Sequence, residues 1–252
     1  MENKSDYLKF RNSLLRELAD ANACFNLYLH IHKRLEETPQ LWADGGTYFR
    51  LNLHSLSRTA LAILTNVFEM RKTDKAWNEL NEEEKKKYKK TQARSIHKFL
   101  SCLESNHHNI FPKNDPDPIK NSDHNYIKQT VKRHQELISE HFTSIQTLLH
   151  RRDKYYAHLD IEYINNPDLL EETKPFYISE FKKLMDLGHR ILIESPGGQH
   201  TLYTQAIKGY KEGFDRLLFK VNEYNDKIAP TVKREPTPVK EYKWEFETNE
   251  DQ

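Results

Sequence analysis

The stretch Arg151-Arg152-Asp153-Lys154-Tyr155-Tyr156-Ala157-His158-Leu159-Asp160 ends a long helix that the sequence predicts from about Ser122 to His158. Before it, apolar side chains step by four, three and four residues, at Ile138, Phe142, Ile145 and Leu149. Such spacing places them on one face of a helix. The same register continues through Arg152, so this arginine is predicted to lie in line with an apolar seam. A charged side chain there is either paired and structural, or it lines a cleft or an interface.

Further helices are predicted wherever apolar residues recur three and four positions apart. Together with the helix above, they cover about 5–37, 47–71, 92–104, 122–158, 175–194 and 200–228. Pro39 and Gly45-Gly46 are predicted to make the turn between the first two helices, and the proline-containing residues 106–121 to form a loop. The fold class predicted is all-α, a bundle of about five to seven helices with an extended C-terminal tail.

The composition favours long amphipathic helices, because 37% of the 252 residues are hydrophobic, 31% are charged and only 7 are glycine. The formal net charge is +1, so any RNA must be attracted by a local patch rather than by the whole chain. The charged residues 72–91 predict an exposed helix, with a basic RNA-facing patch around 85–90 as the alternative. No apolar run approaches the ~20 residues that span a bilayer, and the N-terminus lacks the apolar segment of a signal peptide. We expect a cytoplasmic protein with no membrane partner.

The composition changes near residue 228, which divides the predicted bundle, 1–228, from a tail, 229–252. Prolines among lysines and glutamates favour an extended chain in the tail. Aromatic residues there alternate strictly with charged ones, so that one face of a strand would carry Tyr242, Trp244 and Phe246. Two interpretations stay open: a disordered end with scattered aromatics, or a segment that docks on the bundle or on a partner.

The 13 histidines are candidates for metal binding and for acid–base chemistry. His30 and His32 lie two positions apart on a helix and point away from each other. His107 and His108 are adjacent in the predicted loop, with no carboxylate or thiol at ligand spacing. The sequence contains no His-x-x-x-His, no Cys-x-x-Cys and no glycine-rich phosphate loop. It therefore predicts neither a metal nor a cofactor, which leaves enzyme classes that use only side-chain acid–base and electrostatic groups.

Arg152 and His158 are the strongest candidates for chemistry on a phosphodiester. On an ideal helix they lie about 9 Å apart along the axis and about 120° apart around it, a gap that a long guanidinium can bridge through one phosphate. Arg151 lies about 20° from the direction of His158 and is the rival arginine. Spacing alone does not separate a catalytic pair from an arginine and a histidine that merely close a helix end.

Arg152-Asp153 followed by His158 after five intervening residues resembles the signature of the HEPN superfamily (higher eukaryotes and prokaryotes nucleotide-binding). The wider string Arg-Asp-Lys-x-x-Ala-His-x-Asp, residues 152–160, is similar to its abortive-infection branch. The resemblance implies a helical bundle that commonly dimerises so that two motifs face each other. Many members are metal-independent ribonucleases of phage-defence or toxin–antitoxin systems, and others only bind or scaffold.

The resemblance implies that Arg152, His158 and Asp153 are the catalytic residues, with RNA as substrate and an antitoxin or another defence protein as a possible partner. RNA carries its own nucleophile, the 2′-hydroxyl, so a histidine can act as general base or acid without a metal. An arginine can stabilise the charge that develops on the phosphate oxygens. We expect a metal-independent endoribonuclease that forms a homodimer. The alternative is a non-catalytic interaction or regulatory module that binds RNA or a protein.

Overall fold

The computed structural model describes residues 3–69, 95–113, 115, 119, 122–153, 176–197 and 210–220. Within these ranges the chain is helical and contains no strand, which confirms the all-α class. The helices are α1 Lys4–Glu37, α2 Gln40–Val67, α3 Ile96–Ile110, α4 His124–Glu140, α5 Phe142–Arg151, α6 Ile178–Glu194 and α7 210–220. None of the helices in the described ranges is both long and apolar enough to cross a membrane. The predicted charged helix at 72–91 and the tail at 229–252 lie outside the described residues.

The boundary between α1 and α2 differs from the prediction. α1 ends at Glu37 as predicted, but α2 already begins at Gln40 rather than Thr47. The helix kinks at Gly45, which has φ −138° and ψ 21°, and the Gly45-Gly46 pair lies inside it instead of forming the turn. A Cβ on Gly45 would lie 3.0 Å from the ring of Phe49, so the absence of a side chain lets this ring pack against the backbone.

The other deviations concern α3 and the long predicted helix. α3 starts after Ser95, whose hydroxyl accepts the N–H of Lys98 at 3.3 Å, and it continues to Ile110, into the predicted loop. His107 and Ile110 are buried and extend the apolar face of this helix, which explains the longer element. The helix predicted from Ser122 to His158 is interrupted at His141, which has φ −99° and ψ 13° and separates α4 from α5.

The described residues belong to two compact units, one drawn from Met1–Leu18 and Ala62–Gln199, the other from Ala19–Leu61 and His200–Gln252. In the first, the Tyr7 ring packs against Phe99 and Phe111 with centroid distances of 5.5 and 5.1 Å. The Tyr7 hydroxyl and the Arg11 guanidinium both donate to the carbonyl of Pro196, at 2.9 and 2.8 Å. These contacts fix the start of α1 to the turn after α6.

In the second unit, α1 is joined to α7 through one carboxylate. Asp215 accepts from Arg34 Nε at 3.0 Å and lies 2.8 Å from His30 Nε2. The hydrogen bond from Arg34 lowers the pKa of Asp215, and the contact with His30 lowers it further. The His30 ring also meets Phe214 edge to face at 5.9 Å.

Close packing of α6 in the first unit depends on Gly188. A Cβ at this position would lie 3.0 and 3.1 Å from the two Leu18 methyl carbons and 3.3 Å from Ile96 Cδ1. The helix therefore needs a residue without a side chain where it meets these two neighbours.

We predict that Gly188→Val lowers the free energy of unfolding by about 2 kcal/mol, because two branched methyl groups overpack this contact. Gly213→Val is the matched control: a Cβ at Gly213 meets nothing within 4 Å, and valine is a slightly better helix former than glycine, so stability should stay within about 0.5 kcal/mol. Urea unfolding followed by circular dichroism measures both. Equal effects of the two substitutions would contradict the close packing.

Candidate functional site

The end of α5 carries both candidate arginines. The burial of each side chain indicates which of the two a substrate could reach. The buried residues that precede them are Ile138, Ile145 and Leu148, and the next position in this line is Arg151. Phe142, placed in the seam by the sequence, is 48% exposed. After Ile145, Leu148 rather than the predicted Leu149 is the buried leucine. The predicted seam position of Arg152 is therefore wrong, and the seam ends on Arg151.

The Arg151 side chain lies in the protein interior. The residue is 1% exposed and is among the largest fully buried side chains of the described chain. A guanidinium in that position has no access to a polymeric substrate such as RNA. Its place at the end of the apolar seam indicates a structural role for this arginine.

Arg152 is the accessible arginine of the pair. Its side chain is 20% exposed, and the chain widens into a π-helical turn at 152–153. Arg152 Nε donates to Asp153 Oδ1 at 2.8 Å, and Nη1 donates to Glu69 Oε1 at 3.3 Å, just beyond the end of α2. In the described part of the chain, Nη2 of Arg152 makes no hydrogen bond. Asp153 thus holds one edge of the guanidinium and leaves part of the other edge for a further acceptor.

His158, the third predicted catalytic residue, lies outside the described residues. The structure thus brings together Arg152 and Asp153, which are neighbours in sequence, and adds Glu69, which the sequence did not indicate. Glu69 follows α2 by two residues, and no spacing rule connects it to position 152. Only the packing of the two helix ends reveals this contact.

A second polar cluster surrounds Glu194, the last residue of α6. Its Oε2 accepts from Arg133 Nη2 at 2.7 Å and from His134 Nε2 at 2.9 Å, and its Oε1 accepts from Arg190 Nε at 3.0 Å. The His134 side chain is 0% exposed. Burial lowers the pKa of His134, and the hydrogen bond to Glu194 offsets this only in part. The neutral imidazole and the carboxylate therefore join α4 to α6 as an internal, structural link.

A third cluster consists of His107, His108 and His124. The first two lie in the last turn of α3, and His124 is the first residue of α4. Their nearest ring nitrogens all lie within 4.8 Å of one another. The sequence placed the first two in a loop without a further ligand. It offered no signal for His124, because this residue lies on a different helix, sixteen positions after His108.

Comparison with known proteins gives no assignment. No protein-family model, curated protein or solved structure matches the chain at a significant level.

The two neighbouring arginines should respond differently to truncation. We predict that Arg151→Ala lowers the free energy of unfolding by about 3 kcal/mol, because it leaves a cavity where a large buried side chain was. Arg152→Ala should cost less than about 1 kcal/mol, since partly exposed ion pairs contribute little. Urea unfolding compares the two variants. A greater loss for Arg152→Ala would reverse the assignment of the buried arginine.

The buried His134 should make stability fall in acid. Its folded-state pKa is lowered by burial, so the unfolded chain takes up a proton near pH 6.5 that the folded chain resists. The contribution of His134 is therefore present above about pH 6.5 and is lost as the pH falls below it. His134→Gln should flatten the decline of the unfolding free energy between about pH 7 and pH 5. An unchanged slope would show that His134 is not its source. A residual slope is expected, because burial lowers the pKa of His32 and His97 in the same direction.

Proposed function

We propose that this chain is a metal-independent endoribonuclease of the HEPN type, in which Arg152, Asp153 and His158 act on the phosphodiester of RNA. The observation that carries the proposal is that the two neighbouring arginines differ in solvent exposure. Arg151 is buried, whereas Arg152 keeps 20% of its side chain exposed and retains a donor without a hydrogen bond from the described residues. Of the two arginines whose spacing to His158 fits the HEPN pattern, Arg152, the one followed by Asp153, is thus the more accessible.

In the proposed reaction, His158 removes the proton of the 2′-hydroxyl or delivers one to the leaving 5′-oxygen. The 2′-oxygen attacks the adjacent phosphorus and the P–O5′ bond breaks, which leaves a 2′,3′-cyclic phosphate and a 5′-hydroxyl. Arg152 binds the phosphate oxygens and stabilises their charge in the transition state. Asp153 positions the guanidinium through the 2.8 Å bond to Nε.

The mechanism requires that a phosphate can displace Glu69 from Arg152. Arg152 lies between two carboxylates, so this group of three side chains has a net charge of −1 when all are ionised, and a phosphate must displace at least one of them. The contact with Glu69 is the longer one, 3.3 Å against 2.8 Å for Asp153. Partly exposed ion pairs are worth about 1 kcal/mol or less, and an arginine–phosphate pair can form two parallel charge-assisted bonds. Exchange of Glu69 for a phosphate oxygen is therefore energetically accessible.

The same proposal includes the assembly and the biological setting. A homodimer would bring two copies of Arg152 and His158 to one shared cleft, as the HEPN resemblance implies. RNA would be the substrate, and an antitoxin or another protein of a phage-defence system would restrain the enzyme in the cytoplasm.

A second candidate function is favoured by the same ion pairs. Two carboxylates satisfy much of the Arg152 guanidinium, which is what a purely structural arginine requires. Under this alternative the chain is a non-catalytic HEPN-like module that binds RNA or a protein partner.

The cleavage experiment separates the two functions. Purified protein should cut RNA in EDTA and leave 2′,3′-cyclic phosphate ends. Arg152→Ala and His158→Ala should each lower the cleavage rate by about 100-fold or more while the chain stays folded. Arg16→Ala, which removes an exposed arginine on α1, is the matched control and should cut at the wild-type rate. Strict dependence on an added divalent metal would contradict the mechanism.

Glu69→Gln tests the exchange directly. If Arg152 binds the phosphate, removal of the competing Glu69 charge should tighten RNA binding by up to about 5-fold, a gain of roughly 1 kcal/mol. RNA binding without cleavage by the wild-type protein, together with no effect of Glu69→Gln, would support the non-catalytic module. Specific activity should also fall on dilution below the dimer dissociation constant, and activity that is independent of concentration would contradict a shared cleft.

A further inference from the structure

We propose that His107, His108 and His124 form a binding site for a divalent transition-metal ion of the zinc class, held by three imidazoles and open to water at a fourth position. The site joins the last turn of α3 to the first turn of α4. It shares no residue with Arg152, Asp153 or His158, so the proposal does not depend on the ribonuclease mechanism.

The backbone around the three histidines is fixed by ordinary helix-end interactions. The N–H of Phe111 bonds to the carbonyl of His107 at 2.8 Å and closes α3. Asp123 caps α4, and its carboxylate accepts the N–H groups of Asn125 and Tyr126 at 2.9 and 3.0 Å. His124 lies between this cap and the first turn. The imidazoles are therefore carried by two well-defined helix ends.

The ring positions are close to those of a metal site. The centroid of His108 lies 4.0 Å from that of His107 and 4.2 Å from that of His124, and the ligand nitrogens lie within 4.8 Å of one another. Nitrogens that bind zinc at 2.0–2.1 Å in a tetrahedron are about 3.3 Å apart. The widest separation must close by roughly 1.5 Å, which modest rotation of the side chains supplies, above all for the exposed His108.

The hydrogen bonds of the cluster set the tautomers that a metal needs. His107 Nδ1 lies 2.8 Å from the carbonyl oxygen of Glu104, and His124 Nε2 lies 2.6 Å from that of Phe111. A carbonyl only accepts, so these two nitrogens carry the hydrogens. His107 Nε2 and His124 Nδ1 are then left with lone pairs for an ion. Metal-binding histidines are commonly oriented by such a bond from the opposite ring nitrogen to a backbone carbonyl.

His107 Nε2 is the strongest single sign of a missing partner. The residue is 4% exposed, and Nε2 is buried without a hydrogen bond from any described residue. A buried acceptor that lacks a partner is unfavourable and rare in folded proteins. At His107 this unpaired nitrogen belongs to a residue whose ring lies beside two further imidazoles, with ring centroids 4.0 and 5.1 Å away.

Charge and donor type identify the class of ion. An all-imidazole set favours zinc, cobalt, nickel or copper over magnesium and calcium, which prefer oxygen. The carbonyl end of α3 adds a partial negative charge beside the cation. Because His108 is exposed, the fourth ligand position faces solvent.

Metal titration of the full chain tests the site. Protein stripped with EDTA and then freed of the chelator is titrated with Co²⁺, whose visible absorption reports coordination, and Zn²⁺ then displaces it. We expect one ion per chain with a Zn²⁺ dissociation constant on the order of 1 µM or below. At free Zn²⁺ about 100 times that constant, the melting temperature should rise by roughly 5–10 °C. Mg²⁺ and Ca²⁺ at the same concentration should give no shift.

The variants separate a built site from scattered surface histidines. His108→Ala removes an exposed side chain, so the fold should survive, and His124→Gln removes the ligand from α4. Each should weaken Zn²⁺ binding by about 100-fold or more and abolish the thermal shift. His54→Gln, on α2 and outside the cluster, is the matched control and should bind like the wild type. Weak binding of several ions, or equal affinity in His108→Ala and the wild type, would overturn the proposal. RNA cleavage that persists in EDTA leaves it intact, because the two sites are assayed by different readouts.

Discussion

Burial of the Arg151 side chain at the end of α5 is the constraint on which the candidate ribonuclease site depends. Successive residues of a helix point about 100° apart, so placing Arg151 in the interior turns Arg152 toward Glu69, Asp153 and solvent. The interior position follows from the seam of Ile145 and Leu148, whose burial fixes the rotation of α5. A partly exposed arginine beside a buried one is thus a consequence of helix packing, and the chemistry proposed for Arg152 uses a position that packing provides.

The sequence predicts the elements well where a long apolar stripe determines them. α1 and α6 end at the predicted residues, Glu37 and Glu194, because their apolar positions recur without interruption. The prediction failed where a local contact overrides the pattern. The break at His141 involves neither proline nor glycine, and after Ile145 the buried line runs through Leu148 and Arg151 rather than through Leu149 and Arg152. Gly45 was interpreted as a turn, although the ring of Phe49 packs against it within a kinked helix.

The polar clusters were predictable only in part, for a different reason. Spacing rules find ligands that share one helix or one loop. Arg152 and Asp153 are sequence neighbours and were found, whereas Glu69, Glu194 and His124 join their clusters from other elements. Adjacent histidines at the end of α3 are a weak signal alone. They become a candidate site only because the packing of α3 against α4 brings a third imidazole and two backbone carbonyls next to them.

Helix polarity gives a common physical account of the three clusters. The carbonyl end of a helix favours positive charge, and the last turns of α3 and α5 carry His107 with His108 and His150 with Arg151, respectively. A cation at these ends is favoured before any ligand arrives. Glu194 is the opposite case, a carboxylate at the carbonyl end of α6. The unfavourable charge of this carboxylate at the carbonyl end is offset by hydrogen bonds from Arg133, His134 and Arg190. These three side chains already donate to Glu194. The α6 cluster is therefore a structural network, whereas the metal ion and the phosphate that we propose as ligands would bind at the ends of α3 and α5.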